Sequence, residues 1–187
     1  MHTETARLIL RDLRPDDFPQ LWALARDPDV TRTNDYLPAD EADLRGWLEQ
    51  TLAQEALEPR RSHHSALVLR SSGEMIGWIG LQLEGDPPSV EFGYALGPAH
   101  WNQGLMTEAV HSMLAYGFAV LGAQRVAAFH LEHNPSSGRV LLKAGMRLDD
   151  EKMRDRTDGE VHFVLTAENW RTASFQSGLT GDPPTTT

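Results

Sequence analysis

The sequence predicts an α+β fold, a mixed and mostly antiparallel central sheet flanked by helices. Two observations carry this. Apolar runs at 65–70, 74–83 and 89–96 are separated by Ser71-Ser72-Gly73 and by Gly85-Asp86-Pro87-Pro88, so they read as three strands of an antiparallel meander. The third run, a helical pattern and a run at 124–131 then form a strand-helix-strand unit. Its end strands should lie parallel, in a right-handed crossover. A chain of 187 residues, 40% of them hydrophobic, suits one domain with a real core.

Taken in order, residues 7–13 alternate around Leu8 and Leu10 and form the first strand. A helix follows Pro15, with Asp16 as its N-cap, Pro19 in its first turn, and Phe18, Leu21, Trp22 and Ala25 on one face. Asp27-Pro28-Asp29 ends it, and residues 30–38 read as irregular. A second helix spans 38–57, where Leu44, Trp47, Leu48, Leu52 and Ala56 recur at helical spacing. Trp22 and Trp47 read as core. After the meander, Gly97-Pro98 breaks the pattern. A helix then starts near Met106 or Thr107 and runs to about Leu121, with Val110, Met113, Leu114 and Phe118 buried. The strand at 124–131, a short helix at 135–144 closed by Gly145, and a last strand at 161–166 complete the order. From Thr172 the chain is rich in Ser, Thr, Gly and Pro and reads as a disordered tail.

Composition removes several classes. The chain has no cysteine, which excludes a disulfide scaffold and a protein thiol nucleophile. Thiol chemistry must come from a cofactor. The N-terminus lacks the basic start and apolar run of a signal peptide, and no apolar stretch approaches the ~20 residues of a membrane span. The expectation is a cytoplasmic protein with no membrane partner. A net charge of −10 argues against a nucleic acid partner and is compatible with cationic acceptors such as amines, or with solubility alone.

The strongest local signal is Trp101-Asn102-Gln103-Gly104-Leu105-Met106-Thr107-Glu108, which follows a strand and opens an amphipathic helix. The first N–H groups of a helix lack partners and bind phosphate well. Gly104 permits positive φ or close approach of a ligand, and Thr107 is placed to cap the helix or meet a phosphate oxygen. A simple strand-helix turn would account for the same residues. The second signal is His133-Asn134-Pro135-Ser136-Ser137, continuing to Lys143 and Gly145. Here Asn134 ends a strand and precedes Pro135 as an N-cap, and its amide can also bind a ligand's amide groups.

Together, Glu91-Phe92-Gly93-Tyr94, the Gly104 loop, Glu108-Ala109, and Asn134, Ser137, Lys143 and Gly145 resemble the GNAT superfamily of N-acetyltransferases, most closely its RimJ/RimL-like branch. The resemblance covers 7–171, so 172–187 would be a tail outside the domain. It implies a sheet whose two central strands splay apart to admit the pantetheine arm of acetyl-CoA, the co-substrate. It implies that the backbone of Trp101, Asn102, Gln103, Gly104, Leu105 and Met106 cradles the pyrophosphate. The backbone near Ala95 and Leu96 would bond the pantetheine, Asn134 would contact that arm, and Ser137 would lie near the thioester sulfur. Three positions depart from the family pattern. Trp101 stands for Arg or Gln, Asn102 for Gly, and Met106 for a smaller residue that would leave the site wider. Asn tolerates positive φ better than most residues.

An amine must be neutral to attack a thioester. An α-amino group, with a pKa of ~7.7–8.0, is far more often neutral at pH 7 than a lysine at ~10.4. Glu91 is the candidate base and Ser137 the candidate acid for the leaving thiolate, with an N–H near Leu96 facing the oxyanion. Either side chain would also serve as an ordinary strand carboxylate or first-turn hydroxyl. Glu132, Glu160 and Tyr94 are weaker candidates. His130 and His133 read as ordinary histidines, so no metal is expected. Three functions remain open: acetylation of a protein N-terminal α-amine, acetylation of a small amine or antibiotic, and acyl-CoA sensing with weak catalysis, which Asn102 and Met106 favour. A homodimer through an edge strand near 161–166 is a further expectation.

Overall fold

The first predicted strand is Leu8–Asp12 (β2), and it is preceded by an antiparallel partner, His2–Glu4 (β1), that the residue pattern does not announce. The computed structural model describes residues 2–33, 37–154 and 159–176. Asp35 and Tyr36, in the connection expected to be irregular, fall outside them, as does 177–187. Among the described residues eight strands form one mixed sheet, in the order β1-β2-β3-β4-β5-β6-β8-β7. The remaining strands are Ser62–Leu69 (β3), Met75–Glu84 (β4), Ser89–Leu96 (β5), Arg125–Leu131 (β6), Arg147–Leu148 (β7) and Glu160–Thr166 (β8). The helices are Phe18–Ala25 (α1), Pro28–Thr31 (α2), Glu41–Glu55 (α3), Leu105–Ala119 (α4), Pro135–Lys143 (α5), Asp150–Met153 (α6) and Ala167–Gln176 (α7). The fold is α+β, as expected. The chain divides into two compact units, Met1–Gln82 with Gly93–Ala109, and Leu83–Phe92 with Val110–Thr187.

In the first unit β2 pairs antiparallel with β3, and β3 with β4. Against these strands α1 and α3 bury Leu21, Leu24, Leu44 and Leu48 around Ala66, Val68 and Trp78, with Trp22 and Trp47 partly buried at the margin. Full burial of such a side chain contributes about 1.5–3 kcal/mol. Trp78, Trp47 and the His64 ring meet at 5.6–5.8 Å between centroids. Gly80 is required there, because a Cβ would collide with the His64 ring and with Trp78. The start of α1 differs from expectation. Asp16 lies exposed in a 3-10 turn, Pro15–Asp17, and caps nothing. Asp17 holds the N-cap position but accepts both Nη1 and Nη2 of Arg11 at 2.7 Å, together with the Arg14 N–H at 2.8 Å. Capping proper is done by Asp27 for α2 and Asp40 for α3.

In the second unit the start of β5 runs parallel to β6, with Glu91 opposite Ala127, as the crossover requires. β6 pairs antiparallel with β8, and β8 with β7. The strand at 161–166 is therefore an interior strand with a neighbour on each side, and the sheet edge is β7. The expected edge strand at 161–166 thus lies one place in from the sheet margin, with β7 paired to it at Phe163 and Val164. The boundary expected after Arg171 falls inside α7, which continues to Gln176 past Thr172. Trp170 anchors that helix by stacking on Phe118 of α4, 5.5 Å between centroids.

Candidate active site

In the first unit, β5 ends at Leu96, and a 3-10 turn at Pro98–His100 leads to the loop 101–104. The Trp101 indole Nε1 donates to the Leu96 carbonyl at 2.7 Å, and Gln103 Nε2 donates to the Ala99 carbonyl at 2.9 Å. Two residues then adopt left-handed backbone, Asn102 at φ 59° and Gly104 at φ 77°. Asn102 is thus one of the few non-glycine types that fit its position. Helix α4 starts at Leu105, and the Glu108 N–H reaches back to the Gly104 carbonyl at 3.1 Å. The N–H groups of Leu105, Met106 and Thr107 precede that bond, the arrangement that favours an anion at a helix start.

One expectation is corrected here. Thr107 is the third residue of α4 and does not cap it. Leu105 and Met106 at the helix start are both buried, Met106 at 5% exposure.

Arg7 and Thr5 were not singled out in the sequence, yet both reach this loop. Glu108 Oε1 accepts from Thr5 Oγ1 at 2.6 Å and from the Arg7 N–H at 2.8 Å, and Oε2 accepts from Arg7 Nε at 2.7 Å. Arg7 Nη1 donates to the Gln103 carbonyl at 2.8 Å. Burial pushes the Glu108 carboxyl up, but the hydrogen bonds from Thr5 and Arg7 outweigh it and hold the group below the usual carboxylate range. The one signal available in the sequence was Glu108 itself, since an acid beside a phosphate loop needs a cation.

Ala95 and Leu96 sit where β5 meets β4. Gly97 N–H donates to the Ile76 carbonyl at 2.9 Å, and Gly77 must be glycine because a Cβ would strike the Ala95 carbonyl. The Leu96 carbonyl is thus taken by Trp101, while the Ala95 carbonyl lies close over Gly77.

In the second unit, Glu91 is an exposed residue of β5 between buried Val90 and Phe92. Asn134 caps α5, its Oδ1 accepting the Ser137 N–H at 3.3 Å, which sets Ser137 in the first turn, half-buried. The His130 ring lies over Gly138, its Nε2 2.6 Å from where a Cβ would stand. His130 Nδ1 lies 2.8 Å from the Leu131 carbonyl, which only accepts, so Nδ1 carries the proton. The structure thus brings Ala95, Leu96 and Trp101 to Thr107 together in one unit, and joins Asn134 to Ser137 in the other, which also carries Glu91. Among the described residues no three His, Asp or Glu side chains are grouped to hold a metal ion.

A strand that ends in a left-handed loop and a helix start whose first N–H groups lack intrahelical partners make an arrangement that favours an anion. Residues 7–147 match the acetyltransferase (GNAT) domain family, and the chain belongs to it. It is 31% identical over 145 residues to the uncharacterized N-acetyltransferase YoaA of Bacillus subtilis, covering 77% of this chain and 81% of that one. In fold it is similar to a GNAT-family acetyltransferase from Bacillus anthracis (TM-score 0.74, 22% identity, 90% of this chain and 99% of that one). It is equally similar to the ribosomal L7/L12 alpha-N-protein acetyltransferase RimL solved with coenzyme A (TM-score 0.74, 15% identity, 89% and 98%). The protein is an acetyl-CoA-dependent N-acetyltransferase. The loop fits that co-substrate, since left-handed Asn102 and Gly104 and the N–H groups at the α4 start together suit a diphosphate.

Proposed function

We propose that the protein acetylates the α-amino group of a polypeptide N-terminus, as a RimJ/RimL-like enzyme acting on ribosomal or similar proteins. The observation that carries this reading is its likeness in fold to RimL along nearly the whole of both chains. The chemistry of amines favours the same acceptor, because an α-amine needs little deprotonation at neutral pH. The net charge of −10 would draw a cationic N-terminus toward the enzyme.

Acetyl-CoA supplies the acyl group as a thioester. In this reading the backbone of Trp101–Met106 holds the pyrophosphate, the backbone at Ala95 and Leu96 and the Asn134 amide hold the pantetheine arm, and Thr107 supports the phosphate end. Glu91 takes the proton of the incoming ammonium, directly or through water. Ser137 Oγ gives a proton or hydrogen bond to the departing thiolate.

The test is release of free CoA thiol from acetyl-CoA against two sets of amines, peptides with varied free N-termini and small amines with aminoglycosides. Turnover on the peptides is the expected result. Turnover confined to small amines would replace this reading with detoxification or metabolism of such compounds. Acetyl-CoA binding with no turnover on either set would point to an acceptor outside both sets or to a sensing domain.

A further inference from the structure

We propose that Arg7 is a positioning residue for the cofactor's pyrophosphate, acting through Gln103 and Glu108. The inference rests on the reading that the 101–106 loop holds that group. Glu108 stands in the first turn of α4, a place where the helix dipole welcomes an anion but where a carboxylate would repel an incoming diphosphate. The Arg7 fork resolves the conflict. Its Nε is bonded to Glu108 Oε2 at 2.7 Å, so carboxylate and guanidinium form a neutral pair. Its Nη1 is bonded to the Gln103 carbonyl at 2.8 Å, which pins the peptide plane preceding Gly104.

That bond sets direction. A carbonyl held back toward Arg7 turns the N–H of the same peptide unit, that of Gly104, the opposite way, because the peptide is planar and trans. Arg7 Nη2 lies 3.5 Å from where a Gly104 Cβ would stand, so the charge also borders the loop itself. The side chain is 47% exposed, against 18% for Glu108, so the cation faces solvent while the acid beneath it does not. A lysine cannot repeat this, since one ammonium lacks the planar fork that serves two acceptors in fixed directions.

The role is specific to the phosphate end of the ligand, and a donor lacking that end separates it from general support of the fold. Binding and steady-state rates are measured with acetyl-CoA and with S-acetylpantetheine, which has the thioester and the arm but no pyrophosphate. For Arg7→Met the expected result is a KM and Kd for acetyl-CoA raised about tenfold with kcat nearly unchanged, and S-acetylpantetheine values within about twofold of wild type. Arg7→Lys, which keeps the charge, should show a smaller loss of the same kind, and serves if Arg7→Met does not fold. Equal loss on both donors would reduce Arg7 to a structural ion pair and overturn the proposal, as would no loss on either. Should the wild type turn over no amine, the proposed activity fails, while the binding comparison of CoA with pantetheine still decides the role of Arg7.

Discussion

The Trp101 indole Nε1 donates to the Leu96 carbonyl oxygen at 2.7 Å, tying the first residue of the loop 101–104 to the last residue of strand β5. A hydrogen bond of this type contributes about 1 kcal/mol net. Trp101→Phe keeps a ring in the place of the indole and deletes the donor. The expected outcome is a several-fold rise in KM for acetyl-CoA and a melting temperature lowered by a few degrees, read by steady-state kinetics and thermal denaturation. Unchanged KM would show that the loop keeps its shape without this tie.

Asn102 sits at φ 59°, where glycine is at ease and a β-branched side chain is strained. Asn102→Gly should therefore leave acetyl-CoA affinity within about twofold. Asn102→Val should cost about 1–2 kcal/mol of loop conformation and weaken the cofactor accordingly. Isothermal titration of the two variants with acetyl-CoA checks the pair. Equal affinities would mean that the backbone at 102 does not matter to the ligand.

Glu91 and Ser137 are assigned separable steps, and the assignment is read in different parameters. Glu91→Gln should lose rate most at low pH, where free amine is scarce, so its pH–rate profile steepens on the acid side. Ser137→Ala should lower kcat and leave acetyl-CoA affinity nearly unchanged. A wild-type profile in the first variant, or wild-type turnover in the second, removes that residue from the mechanism.

His63 makes stability depend on pH. It is 3% exposed on β3, and burial, aided by the nearby Arg60 cation, lowers its pKa to about 4. In the unfolded chain the group binds its proton near pH 6.5. Between these values the unfolded state holds more protons, so stability is fully present above pH 6.5 and falls as pH drops toward 4. The whole span, from 6.5 to about 4, corresponds to at most about 3.5 kcal/mol. Urea denaturation at steps from pH 7 to 4.5 should show this slope, and His63→Gln should flatten it whatever its absolute stability. An identical slope in the variant would place the acid sensitivity elsewhere.

Much of this was legible because local patterns decide local elements. β5 has the bounds its alternation implies, and α5 has the Asn134 cap and the left-handed Gly145 that the residue types announce. What was missed depends on distant partners. β1 and β7 are too short for periodicity to mark, and they exist by pairing with β2 and β8. α7 carries little pattern and is held by Trp170 stacked on Phe118. Asp16 looked like a cap, but its neighbour Asp17 holds that position and is taken by Arg11. In the candidate site the loop residues were visible as a motif, whereas Arg7 was not, because its partner Glu108 lies 101 positions away.

The short strands at the two ends of the sheet order carry a further meaning. β1 has three residues and β7 has two, both residues of β7 being exposed. An incoming strand from another molecule would find only a few open backbone groups at either margin, and Arg147 would add a charge at one of them. Margins this brief guard against fibre-like stacking of copies. Another copy adding itself as a strand at either margin would thus gain few backbone hydrogen bonds.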